Sequence, residues 1–200
     1  MDARVTQPTD APFAPVERVA DLLRGFSAPW FVAGGWAIDL FLERVTRPHE
    51  DVDIALLRRD QAAIRPHLSG WTFTKVVLGE RIPWQEGERL QPPVHEIHAD
   101  RADGDPTRLE FLLDETSGDS WAFRRDRRIT RPLMSLGIQA ASGVPFLVPE
   151  IVLLYKAKDP SAKDHADFEL AGPRLAAGQR EWLRQTLETC HPGHPWIRGL

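Results

Sequence analysis

Gly34-Gly35-Trp36-Ala37-Ile38-Asp39, followed by Arg44-Val45-Thr46-Arg47-Pro48-His49-Glu50-Asp51-Val52-Asp53-Ile54, decides the reading of this chain. The end of the stretch alternates. Successive side chains of a strand point to opposite faces, so Val52 and Ile54 turn into a core while Asp51 and Asp53 share the other face. Two carboxylates side by side repel each other, and both stay ionised at low cost only with a cation between them. Mg²⁺ takes oxygen ligands and keeps substrate phosphates in its shell. Paired aspartates on a strand are therefore candidate ligands for two-metal phosphoryl-transfer chemistry. A lone Asp-x-Asp is more often a solvated strand face, so the flanking sequence carries the decision.

On the N-terminal side, Trp30-Phe31-Val32-Ala33 reads as a short buried strand, Gly34-Gly35 breaks it, and residues 36–43 read as a helix with Ala37, Leu40 and Phe41 on one side. Glycines let a backbone approach a ligand closely, and a helix N-terminus offers free N–H groups to phosphate. Gly34 and Gly35 are thus candidate phosphate-binding residues. Trp30 and Trp36 read as core or pocket wall. On the C-terminal side, transfer to a hydroxyl benefits from a base that takes its proton. The strand Leu109-Glu110-Phe111-Leu112-Leu113-Asp114 places Glu110 and Asp114 on one face. Glu110 lies inside an apolar run, where a carboxylate is costly without a job or a partner, and is chosen as the third acid. Asp114, beside Glu115 and Thr116, reads as a turn residue. A strand over 94–99 pairs with 108–113 through the turn Asp103-Gly104-Asp105-Pro106. His95 and His98, three apart on it, face opposite sides and do not share a metal, though one could line the pocket.

The remaining pattern supports a mixed α/β unit with a small helical appendage. Pro15 opens a helix carrying Val16, Val19, Ala20 and Leu23, which Gly25 ends. Strands follow at 51–57 and 71–77, with a helix between them capped by Asp60. Residues 83–93 form a loop. Residues 121–131 are very basic and read as loop or strand. Arg124, Arg125, Arg127, Arg128 and Arg131 suit a triphosphate or an anionic acceptor, but charge runs are more often solvated surface. Helices follow from Pro149, over 163–170 and over 179–190. The tail holding His191, His194 and Trp196 reads as an irregular cap. The expected organisation is a loose arm over 1–12, a sheet-bearing domain over 13–148 and a helical region over 149–200.

Composition narrows the function. The 200 residues are 42% hydrophobic and 27% charged, with a formal net charge of −4. A chain of this length can bury a sizeable core. Mild acidity disfavours a non-specific nucleic-acid binder and tolerates a cationic substrate. Cys190 is the one cysteine, which excludes an internal disulfide and fits a reducing cytoplasm. No signal-peptide pattern and no membrane-length apolar run is present.

The run GGWAID with RVTRPHEDVDI closely resembles the aminoglycoside 2″-O-nucleotidyltransferases and the related lincosamide nucleotidyltransferases. These belong to the DNA polymerase β-like nucleotidyltransferase superfamily, and their pattern is GG-W, a helix, then T-R-x-H-x-D-x-D. The resemblance implies a mixed sheet flanked by helices, with Gly34 and Gly35 near the triphosphate of ATP or another NTP. It implies two Mg²⁺ ions on Asp51 and Asp53 and a third acid on a later strand, acting as base, metal ligand or both. Glu110 matches that place, where the antibiotic-modifying members carry an aspartate. His49 falls in the motif and would fix the loop or touch a phosphate. In the second half, residues 149–158 and 163–168 resemble the same group. There Lys156 would reach the β- and γ-phosphates, and Lys163 would bind phosphate or hold its helix through an i,i+4 pair with Asp167. The resemblance is weakest over 78–105, so it does not carry the acceptor over. Three readings stay open: a small-molecule nucleotidyltransferase, the same chemistry on a protein or tRNA acceptor, and a non-catalytic nucleotide-binding relative.

Overall fold

The computed structural model describes residues 11–200; the expected arm lies, up to residue 10, outside them. In chain order the elements are α1 (Ala14–Leu22), β1 (Trp30–Val32), α2 (Gly34–Leu42), β2 (Asp53–Leu57), α3 (Ile64–His67), β3 (Thr72–Val77) and β4 (Glu80–Pro83). There follow β5 (Glu96–Asp100), β6 (Arg108–Ser117), β7 (Ser120–Ala122), β8 (Thr130–Pro132), β9 (Gly137–Gln139) and β10 (Pro145–Leu147). Helices α4 (Pro149–Lys156), α5 (Ala162–Ala171) and α6 (Ala177–Cys190) complete the described chain. The strands form one mixed sheet in the order β4-β3-β5-β6-β2-β1-β10-β9, and β7 and β8 extend it from the far end of β6. β2 runs parallel to β6 and β1 parallel to β10.

Register explains how one sheet carries both core and site. Val32 pairs with Ile54, Ile54 with Phe111, and Phe111 with Ile97. All four side chains are fully buried, forming one apolar row. One residue away, the pleat reverses every side chain. There Asp53 pairs with Glu110 and Glu110 with His98, a polar row across three adjacent strands. In β2, Ile54 to Leu57 are all buried, as expected of a central strand covered on both faces.

Helix α2 is buried at Trp36, Ala37, Ile38, Asp39, Leu40 and Leu42 and packs against α4, α5, β2 and β10. Such a helix must be apolar nearly all round, and Asp39 is the exception that the site explains. Glu150 of α4 is likewise fully buried. It accepts hydrogen bonds from Arg131 Nη1 at 2.6 Å and Gln179 Nε2 at 2.8 Å, tying β8 and α6 to α4. At the end of the chain, Trp196 stacks on Phe168 of α5 with centroids 4.5 Å apart, as a capping tail should. No helix among the described residues is long and apolar enough to cross a membrane.

Several local expectations are corrected. Gly34 and Gly35 form the first turn of α2 instead of preceding it. β2 begins at Asp53, so Asp51 lies on the approach to the strand. Asp60 caps no helix and sits inside a 3-10 turn over 58–63. The basic stretch resolves into β7, a turn and β8. β4, β9 and β10 carry too few residues to show a period, and all three are supported by pairing instead.

Candidate active site

The N-terminus of α2 abuts the start of β2. The Ala33 amide donates to the Asp53 carbonyl at 2.8 Å, which closes the strand–helix turn over the carboxylate. Gly34 has φ +59°, a left-handed conformation that costs other residues about 1–2 kcal/mol. A Cβ on Gly34 would collide with Asp53 Oδ2 and come within 2.9 Å of its Cγ. Glycine is therefore required twice, by backbone angle and by contact. A Cβ on Gly35 would strike Arg47 and the His49 ring. The first turn of α2 is thus lined by Asp53 on one side and by Arg47 and His49 on the other.

Residues 44–50 are fastened by the buried Asp39. Its two oxygens accept from Thr46 Oγ1 at 2.5 Å and from His49 Nε2 at 2.6 Å. The His49 Nδ1 faces Arg47 Nη1 at 3.1 Å, and its ring lies 4.4 Å from the Trp36 ring. His49 is 5% exposed at its side chain and is hydrogen-bonded to Asp39. Arg47 reaches across to Asp167 at 3.2 Å. Lys156 also binds Asp167, at 3.0 Å, and Asp164 at 2.6 Å. The anticipated Lys163–Asp167 pair is replaced by these two contacts. Lys163 is exposed, forms no ion pair among the described residues and faces Asp53 electrostatically.

The structure brings Asp51, Asp53, Gly34, Gly35, His49, Lys156 and Lys163 around one cavity of about 410 Å³. Glu110 stands beside Asp53 on the next strand. Burial first, then the neighbouring Asp51, pushes the Asp53 carboxyl up to about 6. Burial, followed by Asp53, Glu96 and Asp51, pushes Glu110 up to about 8. These oxygen donors crowd one another without enough positive charge between them, and that donor set fits a hard divalent cation.

A second cavity adjoins the first, sharing Gly34, Asp53 and Lys156. It reaches Asp114, which is no turn residue: β6 continues to Ser117 by pairing with β7. The buried Asp114 accepts a hydrogen bond from the Tyr155 hydroxyl at 2.5 Å, and burial pushes its carboxyl up to about 6. Arg124 and Arg125 also line this cavity and lie over the Tyr155 ring at 5.3 and 5.5 Å. So the basic patch divides: Arg124 and Arg125 face a cavity, Arg131 pairs with Glu150, and Arg127 and Arg128 are solvated. The sequence signal for Asp114 was its i,i+4 spacing from Glu110 on one strand face.

A family model described as aminoglycoside-2″-adenylyltransferase matches residues 15–169. Among solved structures, the solution structure of the antibiotic-resistance factor ANT(2″)-Ia is 19% identical, with a TM-score of 0.56 over 88% of this chain and 90% of that one. The crystal structure of ANT(2″)-Ia in complex with adenylyl-2″-tobramycin is 20% identical, with a TM-score of 0.55 over 88% and 95%. The lincomycin-bound lincosamide antibiotic adenylyltransferase LnuA is 15% identical, with a TM-score of 0.56 over 81% and 97%. None of the curated proteins matches the chain. The fold is that of the DNA polymerase β-like nucleotidyltransferases.

Proposed function

Because the chain belongs to the aminoglycoside-2″-adenylyltransferase family and is a nucleotidyltransferase, we propose that it transfers AMP from ATP, with Mg²⁺, to a hydroxyl of a small aminoglycoside-like molecule. The observation that carries this reading is the pairing of Asp53 with Glu110 directly beside the Gly34-Gly35 turn. Asp51, Asp53 and Glu110 would hold the metal. When bound there, two divalent cations stabilise charge on the phosphate and on the attacking and leaving oxygens. The backbone at Gly34 and Gly35 receives the triphosphate at a positive helix end. Lys156 and Lys163 supply positive charge at the same cavity. Glu110, beside Asp53 on the next strand, takes the proton of the acceptor hydroxyl. The hydroxyl oxygen attacks the α-phosphorus as the bond to pyrophosphate breaks.

The surround favours a cationic acceptor. Glu50 lines the cavity with Asp51 and Asp53, and Glu96 acts on both Asp53 and Glu110. The net charge of −4 counts against a tRNA acceptor, since nucleic-acid affinity rests on cationic contacts to phosphate. The test incubates the protein with labelled ATP, Mg²⁺ and separate panels of aminoglycosides, lincosamides, tRNA and proteins. Label is expected on an aminoglycoside. Label on tRNA or protein overturns the small-molecule acceptor. No transfer, together with no Mg²⁺-dependent binding of nucleotide, overturns nucleotidyl transfer itself.

The crowded carboxylates also set a pH dependence. Asp53 rises from 3.8 to about 6 and Glu110 from 4.5 to about 8 on folding. The folded state therefore binds more protons than the unfolded one in that range, and stability falls as pH rises from about 4 through 8. A cation that binds only the ionised, folded form offsets this loss. Thermal melts in a chelator should fall between pH 5 and pH 8, and the gain on adding Mg²⁺ should be larger at pH 8. An equal gain at both pH values would contradict the proposed ligand set.

A further inference from the structure

The polar row does not end at Glu110. Its next member is His98 of β5, paired in register with Glu110 and 9% exposed. His98 Nε2 lies 2.6 Å from Glu96 Oε1. A carboxylate accepts, so Nε2 carries a proton, and in that tautomer of the uncharged ring Nδ1 offers a lone pair. That Nδ1 is buried and has no hydrogen-bond partner among the described residues. Glu110 Oε2 lies 4.0 Å from it, too far for a hydrogen bond and close enough for one ion to bind both.

A metal-binding histidine typically donates its other ring N–H to a carboxylate, which fixes the tautomer and the ring plane. Glu96 does this here. One donor atom from each of Glu96, His98 and Glu110 lies within 4.8 Å of the others. The donor set differs from that of the aspartate pair because it includes nitrogen. Imidazole suits Zn²⁺ and its transition-metal neighbours, whereas Mg²⁺ keeps to oxygen.

We propose that His98 Nδ1 and the Glu110 carboxylate form a second kind of metal site, selective for a borderline-soft divalent cation such as Zn²⁺ or Co²⁺, with Glu96 as the outer carboxylate. The site rests on the nucleotidyltransferase reading only in sharing Glu110 with the proposed Mg²⁺ ligands. Glu110 stands between Asp53 and His98 in the row, with one strand spacing, about 4.8 Å, on either side. The shared carboxylate then faces an oxygen-ligated cation on one side and a nitrogen-ligated one on the other. Occupancy of the second site would draw on the oxygens that the first requires, so Zn²⁺ would modulate the enzyme even with Mg²⁺ in excess.

The test uses the full chain, without nucleotide, and Zn²⁺ alone as the probe against a background of excess Mg²⁺. Imidazole nitrogen NMR is expected to show one ring Nδ1 resonance that moves on adding Zn²⁺ and is missing from His98→Gln. Calorimetry should show Zn²⁺ affinity about 10- to 100-fold weaker in Glu96→Gln. The signature should persist in Asp53→Asn. The proposal fails if Zn²⁺ leaves the His98 ring unmoved in the wild-type protein, or if the rings that move are His191 and His194. It fails equally if His98→Gln binds Zn²⁺ with unchanged affinity. Should His98→Gln not fold, the wild-type spectrum and Glu96→Gln decide. Since these readouts need no turnover, a negative result leaves nucleotidyl transfer standing, and absence of transfer leaves the metal site standing.

Discussion

Asp53→Asn is expected to lower nucleotidyl transfer by on the order of 10³-fold, taking several kcal/mol for lost metal stabilisation of the transition state and about 1.4 kcal/mol per decade. Asparagine keeps the size of the side chain, so the register with Glu110 and the backbone bond from Ala33 remain available. What disappears is the charge. In the metal-free protein that charge is a burden: burial and the neighbouring Asp51 push its pKa up to about 6, and it raises Glu110 in turn. The variant should therefore melt higher than the wild type at pH 8 in a chelator while losing its activity. The pair of measurements separates loss of a ligand from loss of fold. A variant that is both inactive and less stable would point to a structural aspartate, and one that keeps full activity would remove Asp53 from the site.

Gly34→Ala should produce the opposite pairing, a less stable protein that is also inactive. The left-handed backbone at φ +59° costs alanine about 1–2 kcal/mol. The added methyl group then meets the carboxylate end of Asp53, not a rigid backbone atom. Asp53 can rotate away, so the fold survives with a displaced carboxylate. A displacement of about 1 Å near reacting groups can cost on the order of 10²-fold in rate, and here the displaced group is itself a proposed ligand. Melting temperature, Mg²⁺-dependent ATP binding and turnover should all fall together. If turnover stays within a few-fold of wild type, the close approach of the glycine to Asp53 is not what the reaction needs.

Residue patterns showed local strands and turns better than the long-range pairing around them. The alternation of Asp51, Val52, Asp53 and Ile54 correctly sent Val52 and Ile54 inward, at 8% and 0% exposure. The turn chemistry at 103–106 correctly joined β5 to β6. Such signals are local, and they survive folding because a single strand or turn expresses them. The misreadings came where long-range pairing decided the outcome. Asp114 looked like a strand end because Glu115 and Thr116 are polar, yet β7 continues the ladder to Ser117. β9 and β10 have three residues each, too few for any period, and exist through pairing with each other and with β1. Lys156 and Arg47 share Asp167, a contact between distant segments that no spacing rule announces. The His98–Glu110 neighbourhood needed the strand register, which fixes what stands opposite what.

That register also has a consequence for how the protein is made. β1 sits between β2 and β10, and its second edge is satisfied only when Phe146 comes to lie beside Val32. On the ribosome, a chain finished as far as β6 can already assemble the Asp53–Glu110 pair, yet it leaves the Trp30–Val32 edge unpaired. Unpaired apolar edges are where nascent chains associate wrongly. The short pair β9 and β10 closes that edge late, and Lys156 follows within the same few residues of synthesis. Lys156 and Lys163, which line the cavity beside Gly34 and Gly35, are thus added only after the strands that seal the sheet.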